Sequence, residues 1–158
     1  MTVLSAVKRG LGILAKERPS VALFVDGPNM IRKEFNIDLR DLRKRVEKHG
    51  RIVVGKVFLN QFASEKLIEA VANEGLESII ALGDAEQKTD VDVTVCVHAM
   101  EAINNPEIEI IALATRDADF LALIQKAKER GKKVVLIGAK PGLAASLQHA
   151  ADDVELIS

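Results

Sequence analysis

Three short acidic stretches carry the residues that could do chemistry. Asp26 closes the run VALFVDGPN at 21–29, Asp90 and Asp92 lie in KTDVDV at 88–93, and Asp117 and Asp119 lie in ATRDADF at 114–120. Carboxylates gathered without cysteine ligands are a hard oxygen set, better suited to Mg²⁺ or Mn²⁺ than to zinc. Such an ion lowers the pKa of a bound water and clamps phosphate oxygens during in-line attack. Taken singly, each aspartate has a plainer explanation. At a helix start it caps the backbone or complements the helix dipole. Asp26 resists that explanation, because a strand end followed by Gly-Pro offers no helix to cap at once. Convergence of several carboxylates on one spot is what would make a site.

That convergence depends on the elements between them. Five apolar residues, Val21 to Val25, run straight into Asp-Gly-Pro-Asn, which fits a strand buried on both faces of a parallel sheet. Asp26 then stands at the C-terminal lip, where open α/β sheets bind ligands. Asp38 can cap a helix over 39–48 that turns Leu39, Leu42 and Val46 inward. Its other face carries Arg40, Arg43, Lys44 and Arg45, as solvated surface or as a phosphate-contacting face. A strand over 51–60 follows, then a helix capped by Ser64 and stopped by Gly75, then a strand over 76–82.

The stretch 84–105 is ambiguous. Val91, Val93, Val95 and Val97 alternate as in a strand, but the length and the AMEAI continuation favour a helix starting near Asp90. Pro106 ends it. A strand over 107–115, a helix over 120–130, a strand over 132–138, a short helix over 144–150 and a strand over 154–157 complete the chain. Strict β-α alternation with short connections predicts a parallel sheet with right-handed crossovers. If the strand order reverses beside the first strand, strands one and four are neighbours and their ends flank a crevice.

Composition narrows the classes. The 158 residues suffice for one domain with a real core, and the net charge of −1 gives no overall attraction to nucleic acid or membrane. Cys96 is the only cysteine, which excludes an intramolecular disulfide and a cysteine-based zinc site; its apolar surroundings predict a buried, inert thiol. There is no Trp or Tyr, so base-stacking platforms are poorly supplied. Plentiful Lys and Glu add a thin compositional hint of a thermophile. No apolar run reaches membrane-span length, and Lys8 and Arg9 interrupt the N-terminal apolar run, so the chain reads as cytoplasmic. Residues 1–18 place Leu4, Val7, Leu11 and Leu14 at helical spacing, as an arm packed on the domain or as a homodimer contact. Arg18-Pro19-Ser20 reads as a linker to a domain over 20–158.

VDGPN, KTDVDV and ATRDADF, in that order and at that spacing, resemble the NYN domain in its LabA-like branch of PIN-like nucleases; the resemblance spans about 20–140. It implies a PIN-like, Rossmann-like three-layer α/β/α fold with a mainly parallel sheet of five or six strands. It also implies a metal-dependent ribonuclease with RNA as substrate. Asp26, Asp92, Asp117 and Asp119 fall on the acidic positions, as catalytic residues and ligands of Mg²⁺ or Mn²⁺, with Asp90 as an extra candidate ligand. Asn29, Lys88, Thr115 and Arg116 fall where substrate or phosphate would be held. Two positions depart from the pattern. Arg116 stands where the family usually has Gly, and His98 where an acidic residue often occurs.

Two other classes compete. A catalytically silent RNA-binding or regulatory module would bind without metal. A phosphorylation receiver would use Asp26, Asp84, Thr115 and Lys140-Pro141, but it wants an acidic pair after the first strand and leaves Asp117 and Asp119 unexplained.

Overall fold

The computed structural model describes residues 18–31, 37–82, 91–139 and 142–157. The predicted N-terminal arm lies outside them, apart from Arg18. Six strands form one sheet: β1 (Ser20–Asp26), β2 (Arg51–Asn60), β3 (Glu77–Ala81), β4 (Ile110–Ala114), β5 (Lys133–Gly138) and β6 (Asp153–Leu156). Their order is β3-β2-β1-β4-β5-β6 and every pairing is parallel. The three-layer α/β/α arrangement follows from the alternation of elements. The order reverses between β1 and β4, so the predicted switch point lies there.

Helices cover both faces because the central strands are apolar on both. Val21 to Val25 and Ala112 to Ala114 are essentially without solvent exposure. On one face Phe24, Phe58, Leu113 and Leu136 pack beneath α4 (Asp92–Ile103), α5 (Leu121–Glu129) and α6 (Ala145–Ala150). On the other, Leu23, Val25, Val57 and Ile137 pack beneath α1 (Gly27–Met30), α2 (Leu39–Glu47) and α3 (Glu65–Asn73). The predicted caps are made: the amide of Arg40 donates to Asp38 Oδ1 (2.9 Å), and that of Leu67 to Ser64 Oγ (3.2 Å). Each is worth about 1 kcal/mol.

The ambiguous valine stretch is a helix where it is described. Val95, Ala99, Ala102 and Ile103 face the core, while Val93 and Val97 are 75% and 59% exposed. Small alanines on the inner face let α4 lie close to the sheet, and the outward valines create the misleading alternation. Cys96 is half-buried against the core rather than fully enclosed. His98 sets its ring edge-on to Phe58, with centroids 5.3 Å apart, and its Nδ1 lies 2.9 Å from Lys56 Nζ.

Most element ends shift by a residue or two from expectation, and three departures stand out. Ser20 belongs to β1 rather than to a linker. β4 begins at Ile110, not Glu107, because Asn105 Oδ1 accepts the Glu107 amide (2.9 Å) and holds a turn there. A one-turn helix, α1, follows Asp26 directly, so Asp26 does occupy an N-cap position, and its carboxylate takes side-chain hydrogen bonds from Asn29 of that turn and from Thr115. The basic face of α2 is partly spent on ion pairs. Arg43 contacts Glu47 (2.6 Å) and Glu74 (3.0 Å), and Arg45 contacts Asp41 (3.0 Å) and Glu155 (3.7 Å).

Candidate metal centre at the sheet crevice

Asp92, Asp117 and Asp119 come together. One carboxylate oxygen from each lies within 4.8 Å of the other two. Two chain segments supply them. Asp92 is the first residue of α4, and Asp117 and Asp119 stand at the start of the 3₁₀ turn Ala118–Phe120 that leads from β4 into α5. Both are helical N-termini, whose free amides and dipole favour negative charge. Asp117 is also a cap, since its Oδ1 accepts the Asp119 amide (2.9 Å). Capping therefore explains part of Asp117 but not the approach of Asp92 from across the crevice.

Asp26 sits behind this trio and differs from it. It is 1% exposed, and its Oδ2 accepts hydrogen bonds from Asn29 Nδ2 (2.8 Å) and Thr115 Oγ1 (2.9 Å). Burial pushes its pKa above the ordinary carboxylate range, and the charge of Asp117 adds to that rise. The hydrogen bonds from Asn29 and Thr115 work the other way. Thr115 is fully buried and links the two layers: its hydroxyl donates to Asp26 and accepts the Asp117 amide (3.2 Å).

The surrounding loops are tied by Arg116. Its Nε donates to the Asn29 carbonyl (3.1 Å), and its own carbonyl accepts the Ala144 amide (3.3 Å). A single residue thus joins the turn after β1, the turn after β4 and the segment before α6. Gly142 makes room for it. At φ +99° it occupies a region that side chains rarely adopt, and a Cβ there would lie 2.7 Å from Arg116 Nη1. Gly27 has a comparable part on the other side: a Cβ would meet the Phe58 carbonyl oxygen at 2.2 Å, so only glycine lets α1 rest on β2.

The described residues thus bring together Asp26, Asn29, Asp92, Thr115, Arg116, Asp117 and Asp119. Lys88 and Asp90 lie outside the described residues, as do Asp84 and Lys140-Pro141 of the receiver scheme. Sequence reasoning missed Gly142 and Ala144. A Gly after Pro signals a turn, but nothing in the sequence says that this turn cradles Arg116. The three-carboxylate set, half exposed at Asp92 and Asp117 and open at Asp119, has the hard-donor chemistry that fits Mg²⁺ or Mn²⁺.

A solved structure, a protein of unknown function, VPA0982, from Vibrio parahaemolyticus RIMD 2210633, shares this fold. Its TM-score is 0.79 at 21% identity, with 92% of this chain and 97% of that one covered. An uncharacterized protein of Methanocaldococcus jannaschii, MJ0482, is 57% identical over 134 residues, 85% of this chain and 53% of its own length. The chain therefore spans about half of that relative. No described helix is long and apolar enough to cross a membrane. The NYN domain family model matches residues 20–157, with the acidic trio and its buried fourth aspartate inside the matched span, and the chain belongs to the NYN domain family.

Proposed function

We propose that this domain hydrolyses RNA phosphodiester bonds at the crevice between β1 and β4, using a divalent metal held by Asp92, Asp117 and Asp119. One observation carries the proposal: carboxylates from two separate segments approach within 4.8 Å at the switch point of an NYN domain. Helix capping alone does not bring them together. Mg²⁺ or Mn²⁺ bound there supplies Lewis-acid stabilisation of phosphoryl oxygens and an activated water.

The chain's own residues divide the remaining work. Asp92, Asp117 and Asp119 concentrate negative charge on an open lip that an extended polymer can cross. Asp26 is the inner carboxylate, held by Asn29 and Thr115 and coupled by charge to Asp117. Thr115 is too deeply buried to touch substrate and acts by holding Asp26 and the Asp117 amide. Arg116 brings a cation to the lip and fixes Asn29. Lys88 is the further candidate for the phosphate backbone.

The test is cleavage of a labelled single-stranded RNA with Mn²⁺, with Mg²⁺ and with EDTA. Asp117→Asn, which keeps a capping side chain, is expected to lower the metal-dependent rate by about 10²–10³-fold without unfolding the domain. Full activity in that variant refutes the assignment. Binding without cleavage under any metal, from folded protein, supports a silent RNA-binding module instead.

A further inference from the structure

An aromatic side chain stands exposed at the same end of the sheet as the acidic trio. Of the five phenylalanines, Phe24, Phe58 and Phe120 are fully buried, Phe35 lies outside the described residues, and Phe62 is 65% exposed. Phe62 follows β2, the strand next to β1, at the end where Asp26 closes its own strand. Asp26 is in register with Phe58, so β2 runs two residues further, to Asn60, which strand geometry puts about 8 Å from Asp26. The turn that follows is fixed on both sides. Asn60 Oδ1 accepts the Phe62 amide (3.0 Å), the Asn60 carbonyl accepts the Ala63 amide (3.2 Å), and Ser64 caps α3 directly after. Between this turn and α1, the element that carries Asn29, lies a hollow of only about 90 Å³, lined by Gly27, Pro28, Asn60 and Ala63.

We propose that Phe62 is a stacking platform for one unpaired nucleobase of an RNA whose backbone crosses the acidic lip; this rests on the ribonuclease reading above. A single exposed apolar side chain is ordinary in itself. Place and rigidity set Phe62 apart. It stands one strand away from Asp26, on an Asx turn that holds its backbone, so seating a base on the ring costs little further ordering. The hollow beside the turn is far smaller than the roughly 300 Å³ at which ligand pockets begin, so the base is not enclosed and its edges are not read there. It is held by its face, and every base has a π-face, so base identity matters little. Pairing matters a great deal, because a base inside an A-form duplex is already stacked between its neighbours and cannot be offered to the ring. Phe62 therefore selects single strands beside the cleavage point without touching the reacting atoms.

The chain has no Trp or Tyr, so Phe62→Trp adds a single indole while keeping a ring that can stack. With EDTA present, so that no strand is cut, a mixed-sequence single-stranded RNA is expected to quench its emission saturably, and the duplex of the same sequence is not. Phe62→Ala is expected to weaken binding of the fluorescein-labelled single strand by about 5–100-fold, with Tm unchanged, while Phe62→Trp binds as the native chain does. With Mn²⁺, Phe62→Ala is expected to lower kcat/KM for that strand by a similar factor and to leave kcat nearly unchanged. Binding seen by anisotropy without quenching of the indole overturns the proposal. So does an equal loss on single strand and duplex. A native chain that cuts RNA with a kcat/KM indifferent to Phe62→Ala overturns the stacking role and leaves the ribonuclease reading intact. A native chain that neither binds nor cuts RNA overturns both.

Discussion

Thr115→Val removes one hydroxyl and leaves a side chain of nearly the same shape. In the native protein that hydroxyl donates to the Oδ2 of an aspartate only 1% exposed, and it accepts the amide of Asp117. A hydrogen bond to a charged group is worth about 1.5–3 kcal/mol, and a neutral one about 0.5–1.5 kcal/mol. Asn29 remains as the other donor to Asp26, so the carboxylate is weakened rather than orphaned. The expected loss at neutral pH is therefore about 2–3 kcal/mol. For a domain of this size each kcal/mol lowers Tm by about 2–4 °C, so Tm falls by about 4–12 °C. Because the bond favours the ionised form of Asp26, the penalty shrinks in acid, where that carboxyl is protonated. Urea unfolding at both pH values, with EDTA present, measures the difference. A loss below about 0.5 kcal/mol at neutral pH, or an equal loss at both, refutes the assignment of Thr115 as the support of a buried charge.

The same buried charge sets two further expectations, and Arg116 sets a third. Asp26 has a folded pKa above its ordinary value of 3.8, so the folded state holds the proton more tightly. Its contribution to stability is complete below that value and is lost as pH rises through the folded pKa. Asp26→Asn cannot titrate and can still accept from Asn29 and Thr115. Its Tm is expected to exceed that of the native chain by a margin that grows from acid to neutral pH while RNA cleavage is lost; a Tm below the native value at neutral pH contradicts this. Gly142→Ala forces a Cβ against Arg116 at an unfavourable φ and is expected to cost about 1–3 kcal/mol and to weaken metal binding, read by thermal unfolding and by Mn²⁺ titration. Unchanged values for both remove Arg116 from its role as the tie between the loops.

Much of the fold was legible because its signals are local. Apolar runs bounded by turn residues located every strand. Asp38 and Ser64 announced their helices through hydroxyl and carboxylate caps that reach only two or three residues. The reversal of strand order beside β1 could be stated only as a condition, since crossover direction is not written in any short stretch. Boundaries failed where one side chain overrode a run: Asn105 holds the Glu107 amide and delays β4. The Gly-Pro-Asn-Met turn is too short to show a helical period, so α1 has no signature of its own and Asp26 reads as having no helix to cap. The candidate site was legible as residue types but not as connections. Thr115 to Asp26 and Arg116 to Asn29 join residues 89 and 87 positions apart, and no local pattern encodes such pairs. The resemblance places Thr115 and Arg116 among the phosphate contacts, and their described hydrogen bonds run inward, to the carboxylate and the backbone that hold the lip in shape.

Mn²⁺ titration of the full-length protein tests most directly whether the lip is a metal centre. Saturable binding is expected, weakened alike by Asp92→Asn and by Asp119→Asn, which lie on different segments, and unaffected by Asp38→Asn, which alters an equally acidic helix cap elsewhere. Binding that is indifferent to both lip substitutions would contradict a shared site and leave these aspartates as helix-terminal charges that happen to be neighbours.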